Sequence, residues 1–299
     1  MLLVTGITGH TGKYFLQELK KNKYDGQIRC IVRHTSNTIE LDKSGLNIEK
    51  IFGDLTDQEF VDRSMHGVDT IMHIYNIHHS PMITELAIKN KVKRVILIHT
   101  TGIYSEFKNA SEEYKKIEKK ISQIIRGIEN YPTVTILRPS MIYGDLCDSN
   151  MSKFIKMVDC LRVIPVINGG KSLIQPVNAR DLGKAFYKVL NSPTQTINKN
   201  YNLTGATPIR MIDMFRIISD EMNKRIFFIH VPLAIGVFCA KSVRIITFGK
   251  IDYIERVQRM NEDRSYSHNE AKNDFGYTPM AFEEGIKIEI DEYQKFKEK

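Results

Sequence analysis

The stretch LLVTGITGHTG, residues 2–12, is the part of the sequence that best predicts the fold. A short apolar run ends in three glycines spaced three apart, and a helical pattern of apolar and charged residues follows at once. Strand, glycine-rich turn and helix is the context that a nucleotide-binding loop requires. Gly6 allows the tight turn, Gly9 lets the backbone approach a pyrophosphate, and Gly12 permits close packing of helix on strand. Free N–H groups at the helix start then face the phosphates, so the sequence predicts a dinucleotide site here.

The end of the second predicted strand indicates which dinucleotide is bound. The run IRCIVR, residues 28–33, ends at Arg33. This position faces the adenosine ribose, where an acidic residue favours NAD and an arginine can pair with the 2′-phosphate of NADP. A surface arginine with no such role is the alternative, and we favour NADP over NAD. Asp54 and Leu55 follow a third strand, within residues 48–57, and are placed to meet the adenine.

Two further buried strands, within residues 68–76 and 92–104, are each reached by a short helix. Strands that alternate with helices predict a parallel, doubly wound sheet of the α/β class. Ligands of such sheets lie at the carboxyl ends of the strands. The residues that we expect along this crevice are Gly9, Arg33, Asp54, Tyr75, Thr100 and Thr101.

Composition narrows the class of protein. The chain has 299 residues, of which 42% are hydrophobic and 26% charged, as is ordinary for a globular enzyme. The net charge is +8, but lysine and glutamate are interleaved without aromatic–basic alternation, which disfavours nucleic acid as a partner. Four scattered cysteines without CxxC spacing favour a reducing compartment. Because Met1 runs straight into LLVTG without a basic leader, we predict a cytoplasmic location.

The longest apolar run is VPLAIGVFCA, residues 231–240. It is too short to span a bilayer, so no membrane span is expected. The pattern predicts a helix buried in the protein core.

Several motifs together resemble the extended short-chain dehydrogenase/reductase superfamily, in its NAD-dependent epimerase/dehydratase branch. They are TGITGHTG (5–12), GDLTD (53–57), VKRVILIHTTGIY (92–104), TVTILRPSMIYG (133–144), QPVNARDLGKA (175–185) and FGYTPMAFEEGI (275–286). The resemblance implies a Rossmann-type doubly wound parallel sheet with helices on both faces and a small C-terminal substrate domain. Residues 1–145 would form the NAD(P)-binding domain, with 172–190 returning to it, and 146–299 a smaller, mostly helical substrate-binding part. A homodimer is compatible with this resemblance.

The resemblance also implies a set of site residues. The cofactor contacts would be Gly6, Thr8, Gly9, His10, Thr11, Gly12, Arg33, Asp54, Leu55, Tyr75, Thr100, Pro139 and Ser140. Thr100 or Thr101 takes the place of the family's usual serine after the fifth strand. Tyr143 and Arg180 would meet the substrate, although a surface role for Arg180 is an equal alternative.

The helix with the sequence EEYKKIEKKI, residues 112–121, departs from the family pattern. Members with full chemistry carry a tyrosine four residues before a lysine, on one helix face, where the ammonium lowers the phenol pKa. If Glu118 is aligned with the glutamate that follows that lysine, Tyr114 takes the place of the lysine and Ala110 that of the tyrosine. The usual pair is therefore missing, as in the atypical members of the superfamily.

Two substitutes for the missing pair stay open. Tyr104 and Lys108 have the required spacing but precede the helix, and Tyr114 with Lys115 or Lys116 could supply altered acid–base groups. The candidate catalytic residues are thus Thr101, Tyr104 and Tyr114. No metal site is expected, because the histidines in HIYNIHHS (73–80) lack an acidic neighbour to complete a ligand set.

Three functions remain. The first is an NAD(P)-dependent oxidoreductase or epimerase that acts on a nucleotide sugar or another small polar substrate. The second is a non-catalytic sensor of NADP(H), and the third is a structural subunit that the cofactor stabilises.

Overall fold

The computed structural model describes residues 1–107, 109–127 and 132–298. Seven parallel strands form its central sheet, in the order β11-β6-β5-β4-β1-β2-β3. They are β1 (Leu2–Thr5), β2 (Ile28–Val32), β3 (Ile48–Phe52), β4 (Thr70–His73), β5 (Arg94–Ile98), β6 (Thr133–Pro139) and β11 (Asn200–Leu203). The order reverses beside β1, which creates a crevice at the carboxyl ends of β1 and β4. The predicted fold class, a doubly wound parallel α/β sheet, is confirmed.

Helices cover both faces of the sheet. The helices of the first half are α1 (Gly12–Lys21), α2 (Ile39–Asp42), α3 (Gln58–Ser64), α4 (Ser80–Lys89) and α5 (Ser111–Ile125). Side chains alternate along a strand, so Leu2 and Val4 pack on one face with Phe15 of α1, while Leu3 packs on the other with Leu86 of α4. Two apolar cores result, and the sheet lies between them.

The second half of the chain forms a third core beside the sheet. Its elements are β7 (Ile142–Tyr143), α6 (Met151–Cys160), β8 (Val163–Ile167), β9 (Leu173–Ile174), β10 (Val177–Asn178), β12 (Ile209–Arg210), α8 (Met211–Glu221), β13 (Phe227–Val231), α9 (Leu233–Ile246), α10 (Ile254–Arg259), α11 (Asn269–Phe275) and α12 (Phe282–Lys297). Side chains of α6, α8 and α12, among them Ile155, Phe215 and Ile286, fill this core.

One helix of the second half returns to the sheet. Helix α7 (Ala179–Leu190) packs on α1, where the ring centroids of Phe186 and Phe15 lie 6.3 Å apart. A side chain at Gly183 would lie 2.6 Å from the backbone of Tyr14, so the two helices approach each other closely there. The division of the chain near residue 145 into two folding units stays a prediction.

The apolar run at 231–240 does not lie in the core. It forms the end of β13 and the first half of α9, in which Gly236 and Ala240 are buried while Ile235 and Phe238 are 53% and 70% exposed. The prediction of a buried helix was therefore wrong, because hydrophobicity alone does not show whether the rest of the chain supplies a covering surface. Among the described residues, no helix is both long and apolar enough to cross a membrane.

Candidate functional site

The glycine loop between β1 and α1 is a backbone cradle. Gly6 has a φ of +76°, which favours glycine, and the N–H of Gly9 donates to the carbonyl of Gly6 at 3.0 Å. A Cβ at Gly12 would lie 2.1 Å from that same carbonyl oxygen. The loop therefore closes tightly on itself, and any larger side chain would fill the space beside it.

A first cavity of about 330 Å³ opens in front of this loop. Nine of the residues expected to bind cofactor line it: Gly6, Thr8, Gly9, His10, Thr11, Arg33, Asp54, Leu55 and Tyr75. Gly12 does not line the cavity, but its close approach to the carbonyl of Gly6 keeps the loop tight. The carboxyl ends of the first four strands thus bring together Gly9, Arg33, Asp54 and Tyr75, four of the six residues that the sequence placed in one crevice.

The charges at the outer end of the first cavity are ordered by local contacts. The guanidinium of Arg33 lies 6.0 Å from the ring centroid of Tyr75. Asp54 accepts hydrogen bonds from the backbone and the hydroxyl of Thr56, at 2.8 and 2.7 Å, and these bonds lower the pKa of its carboxyl. Arg33 remains exposed and borders the cavity, where it can meet an anionic group.

A second cavity, of about 410 Å³, continues from the first, because His10 and Ile142 line both. Thr100, Thr101 and Ser140 line the second cavity, and their role at the reacting end of the cofactor stays a prediction. Thr100 also caps the short 3₁₀ helix Thr101–Tyr104 by accepting a hydrogen bond from the N–H of Gly102 at 3.0 Å. Pro139, the remaining expected contact, ends β6 directly beside Ser140.

A buried carboxylate fixes the start of α1 to the loop after β7. Asp145 accepts a hydrogen bond from the hydroxyl of Tyr14 at 2.9 Å, forms an ion pair with Lys13, and lies 3.0 Å from Nε2 of His10. Burial opposes ionisation of Asp145, but the contacts with His10 and Lys13 outweigh it and hold the pKa well below its usual range. This network positions the glycine loop against the wall of the second cavity.

Glu118 of α5, which the sequence analysis aligned with the glutamate of the family pattern, belongs to a hydrogen-bond network. Glu118 accepts two hydrogen bonds from the guanidinium of Arg138, at 2.8 and 2.5 Å, and lies 3.0 Å from Nδ1 of His99. His99 contacts the hydroxyl of Ser80 through its other ring nitrogen at 3.1 Å. Burial opposes ionisation of Glu118, yet the bonds from Arg138 and His99 lower its pKa to about 2. The carboxylate therefore links α5 to β6 and to the end of β5.

Two of the three catalytic candidates lie away from the second cavity. The hydroxyl of Tyr104 donates to Asn202 at 3.2 Å and accepts from Arg138 at 3.2 Å, on the far side of the 3₁₀ helix. Tyr114 packs near His78, with ring centroids 6.1 Å apart, and burial raises the pKa of its phenol. A proton-exchanging tyrosine needs the opposite shift. Lys108, the suggested partner of Tyr104, lies outside the described residues.

The two expected substrate contacts also lie elsewhere. Tyr143 is 1% exposed and packs on Phe282 in the C-terminal core, with ring centroids 5.4 Å apart. Arg180 donates to the carbonyl of Gly144 and to Glu292, the latter at 2.7 Å, and stacks over the ring of Tyr14. Tyr143 thus belongs to the C-terminal core, Arg180 joins that part of the chain to Tyr14 of α1, and neither side chain lines either of the two cavities.

The second cavity contains residues that the sequence did not point to. They are Gly102, Ser105, Met141, Ile142, Cys147, Asp148, Ser149, Asn150, Ile174, Gln175, Arg259, Arg264 and Tyr266. Gln175 accepts from the backbone N–H of Tyr266 at 3.0 Å and donates to Gly205 at 2.8 Å, which joins two distant segments. The only sequence signal was the pair of arginines in RMNEDR, residues 259–264, which is unremarkable in a basic chain.

Arg259 and Arg264 give the second cavity a positive wall. Arg259 lies 3.7 and 3.9 Å from carboxylate oxygens of Glu255 and Glu262. The Nε atoms of both arginines are buried without a hydrogen-bond partner among the described residues. Burial and the neighbouring charge of Arg259 lower the pKa of Arg264 to about 10. An anionic group between the two guanidiniums would accept hydrogen bonds from the unpaired Nε atoms and would also offset the two buried positive charges.

The histidines near the end of β4 form local contacts. Nδ1 of His73 lies 2.7 Å from the hydroxyl of Thr5, and burial lowers the pKa of His73 to about 3. Within residues 1–107, 109–127 and 132–298, no group of three or more His, Cys, Asp or Glu side chains could hold a metal ion.

These features fit a dinucleotide. The glycine cradle is one that a Cβ would fill, and Thr11, the N-cap residue of α1, lines the first cavity, so the amino-terminal end of this helix adjoins it. Two joined cavities at the carboxyl ends of the strands provide a nucleotide end and a reacting end.

Comparisons with known proteins agree with this geometry. Residues 6–149 match the model of the NAD(P)H-binding family. NADH dehydrogenase (ubiquinone) 1 alpha subcomplex subunit 9, mitochondrial, of Dictyostelium discoideum is 26% identical over 218 residues, which cover 68% of this chain and 58% of that protein. N-acetyl-alpha-D-glucosaminyl-diphospho-ditrans,octacis-undecaprenol 4-epimerase of Escherichia coli O157:H7 is 23% identical over 215 residues, 62% of this chain and 64% of that protein. The chain thus spans about three fifths of the length of these two relatives.

A solved structure matches over nearly the whole chain. UDP-glucuronic acid 4-epimerase from Bacillus cereus, in complex with UDP-glucuronic acid and NAD, superposes with a TM-score of 0.73 at 16% identity and covers 99% of both chains. Residues 6–149 are therefore an NAD(P)H-binding domain, and the chain as a whole has the fold of the epimerase/dehydratase-type extended short-chain dehydrogenases/reductases.

Proposed function

We propose that this chain is an NAD(P)-dependent oxidoreductase or epimerase that acts on a sugar linked to a diphosphate, or on a similarly small anionic substrate. The observation that carries the proposal is the second cavity, which joins the first at His10 and Ile142 and has Arg259 and Arg264 in its wall. A protein that only carries a dinucleotide has no need of an arginine-lined cavity at the reacting end.

A bound nicotinamide supplies hydride transfer, so the protein has to hold a carbinol and exchange its hydroxyl proton. Thr101 is the catalytic candidate that lines the second cavity, and its side chain is 6% exposed. We assign to Thr101 the hydrogen bond to the substrate oxygen. Tyr266, which lines the same cavity and has a hydroxyl of its own, is the second group that can contact substrate there.

The relatives support the substrate class. The E. coli protein is named for a sugar on a diphospho-undecaprenol and the B. cereus protein for UDP-glucuronic acid. Both substrates carry a sugar and a diphosphate. Arg259 and Arg264 of this chain are placed to bind such a diphosphate by charge-assisted hydrogen bonds.

For the cofactor, Arg33 supports NADP over NAD, because its guanidinium borders the cavity where the adenosine ribose is expected. The homodimer also remains part of the proposal, and its mass in solution tests it.

A specific observation favours a second function, a non-catalytic NAD(P)H-binding subunit. Ala110 and Tyr114 replace the family's acid–base pair, and the pKa of Tyr114 is raised rather than lowered. The Dictyostelium relative is itself named as a subunit of a larger assembly.

Incubation of the protein with NAD⁺ or NADP⁺ and a panel of UDP-hexoses separates the two functions. Epimerisation is followed by proton NMR of the anomeric signals, and oxidation by absorbance of the reduced nicotinamide. Product formation that Thr101→Val abolishes supports the enzyme. Tight dinucleotide binding with no conversion of any diphosphate sugar supports the subunit instead.

A further inference from the structure

A third cavity, of about 720 Å³, lies beyond the second one, and the two share five wall residues: Met141, Ser149, Asn150, Arg259 and Arg264. The arginines therefore stand at the junction of the two cavities. A ligand anchored by its anionic group at this junction can extend into both.

The third cavity is largely apolar, although Lys153, Glu255 and Arg256 also line it. Four methionines line it, Met141, Met157, Met211 and Met260, together with Phe154, Val243 and Val257. Methionine side chains are flexible and polarisable, so they adapt to a chain that has no fixed shape. A volume of this size is in the range that holds a drug-sized molecule. The chemistry of the wall thus suits hydrocarbon, whereas the second cavity is lined largely by hydroxyl, amide and charged groups.

Helix α9 forms one wall of the third cavity and leaves its own outer face uncovered. Gly236, Ala240 and Val243 line the cavity, and a Cβ at Gly236 would lie 2.6 Å from the side chain of Ile167, so the helix packs closely at that point. On the outer face Ile235, Phe238, Ile245 and Ile246 are 53%, 70%, 75% and 75% exposed. Phe248, just after the helix, is 93% exposed. An apolar face of this kind on one helix marks a contact with lipid or with another molecule.

Charge decides between these occupants. Lys241, Arg244 and Lys250 are exposed on and beside the same helix, and Arg244 lies 3.3 Å from Asp252. Basic residues that flank an exposed apolar helix face are typical of helices that lie in the interface of an anionic bilayer. The chain as a whole carries a net charge of +8, which also favours its association with an anionic bilayer.

We propose that the ligand of this crevice is an anionic lipid: its charged group lies between Arg259 and Arg264, its hydrocarbon chain fills the third cavity, and the outer face of α9 rests on an anionic bilayer from which it enters. This inference rests on the proposed function for the identity of the reacting group, because it makes the diphosphate sugar a lipid-linked one. The binding of the lipid itself stands on the cavity and on the helix.

The cavity is tested with octyl phosphate and ethyl phosphate, which differ only in chain length, by isothermal titration calorimetry on the full chain. Octyl phosphate should bind at least about 50-fold tighter, because even half of its additional methylene groups would be buried. Val243→Phe, which fills the third cavity, should reduce this ratio to near one. Ala234→Phe is the matched control, since Ala234 is exposed on the same helix and lies outside the cavity wall.

Equal affinity for the two phosphates in the unchanged protein overturns the cavity assignment, as does a ratio that survives in Val243→Phe. Should Val243→Phe fail to fold, Cys239→Phe replaces it, because Cys239 lines the cavity but is exposed. NADPH titration of the same samples shows that the cofactor end is intact. Failure of the proposed function is distinguishable, since lipid binding is measured without turnover.

The outer face of α9 is tested by flotation with phosphatidylcholine vesicles that contain or lack phosphatidylglycerol. The protein should float with the anionic vesicles, and the double variant Phe238→Ser/Ile245→Ser should lose about nine tenths of that binding or more. Ile39→Ser is the control, because Ile39 is 52% exposed but lies on α2. No flotation with either vesicle, or a double variant that changes the oligomeric mass instead, overturns the bilayer contact.

Discussion

The first cavity and the second cavity are built in different ways. Nearly all of the first cavity comes from residues 6–76, with Ile142 alone added from the second half. The second cavity draws on five separate segments between His10 and Tyr266. The first is built around the glycine loop after β1, whereas the second includes Arg259, Arg264 and Tyr266 from far along the chain. The nucleotide end is therefore a property of the fold, and the reacting end is a property of this particular chain.

Gly12→Val should break the first cavity with the largest effect. Its Cβ would lie 2.1 Å from the carbonyl oxygen of Gly6, and backbone on both sides leaves it no room. We expect a loss of about 3 kcal/mol in the free energy of unfolding or more. Dinucleotide affinity should fall by at least about 100-fold, because the N–H groups of α1 no longer face the phosphates. Chemical denaturation and NADPH fluorescence titration measure the two effects.

Gly45→Ala is the control for this substitution. Gly45 has a φ of +72° but no atom within 4 Å of its added Cβ, so only backbone strain is introduced, at about 1–2 kcal/mol. NADPH affinity should stay unchanged. If Gly12→Val bound the dinucleotide as well as Gly45→Ala does, the loop would not be the phosphate site.

Glu118→Gln changes a carboxylate that lines neither of the two cavities and should affect the stability of the fold. In the folded protein the pKa of Glu118 is about 2, against 4.5 for the free group. A lowered pKa stabilises the fold fully above the unfolded value, and the contribution is lost as the pH falls from about 4.5 to 2. At neutral pH the variant should lose about 3 kcal/mol in the free energy of unfolding, since Arg138 is left without its carboxylate.

Urea denaturation at neutral pH and at pH values below about 4 measures this linkage. The difference between the two proteins should shrink as the acid limit is approached. Glu112→Gln is a control on the same helix, because Glu112 is exposed and forms an ion pair with Lys115 at 2.7 Å. A stability difference that does not depend on pH would contradict the assignment of the charge at Glu118.

The difference between the two cavities also explains which site residues could be predicted from the sequence. The glycine loop, Arg33, Asp54 and Tyr75 lie close together in the chain, and each follows directly on a strand, so parallel pairing alone brings them together. Arg264 lies more than 100 residues from Thr101, and no local pattern connects the two. Only the packing of the second half against the sheet places them in one wall.

The differences between what the sequence predicts and what the structure shows have equally specific causes. In the motif RPSMIYG (138–144) the backbone alternates, so Ile142 faces the cavity while Tyr143 turns into the C-terminal core. For Arg180 the sequence left a substrate contact and a surface role as equal alternatives, and in the structure its guanidinium donates to Glu292, far along the chain. For α9 the apolar pattern was correctly assigned to a helix. The helix is exposed because no other part of the described chain covers its outer face.

Thr101→Val compared with Tyr114→Phe tests the reacting end. If Thr101 holds the substrate oxygen, turnover of a diphosphate sugar should fall about 100-fold, with NADPH affinity unchanged. Tyr114→Phe should leave turnover as it is, because the phenol does not line the second cavity and its pKa is raised. Thr101→Ser, which keeps a hydroxyl, should retain most of the activity. A large loss in Tyr114→Phe with none in Thr101→Val would reverse the assignment.

Arg33→Ala should have the smallest effect, and it removes an exposed cationic side chain that borders the first cavity. The guanidinium is exposed and stacks near Tyr75, so its removal should leave the fold and NADH binding unchanged. NADPH affinity should fall about tenfold, because one charge-assisted hydrogen bond to the 2′-phosphate is lost. Arg33→Lys should restore only part of it, since an ammonium cannot bind a phosphate through two parallel hydrogen bonds. Parallel fluorescence titrations with NADPH and NADH measure the ratio. If both affinities fall together, Arg33 acts through the shape of the cavity, and the preference for NADP over NAD has to be sought at Ser36 or given up.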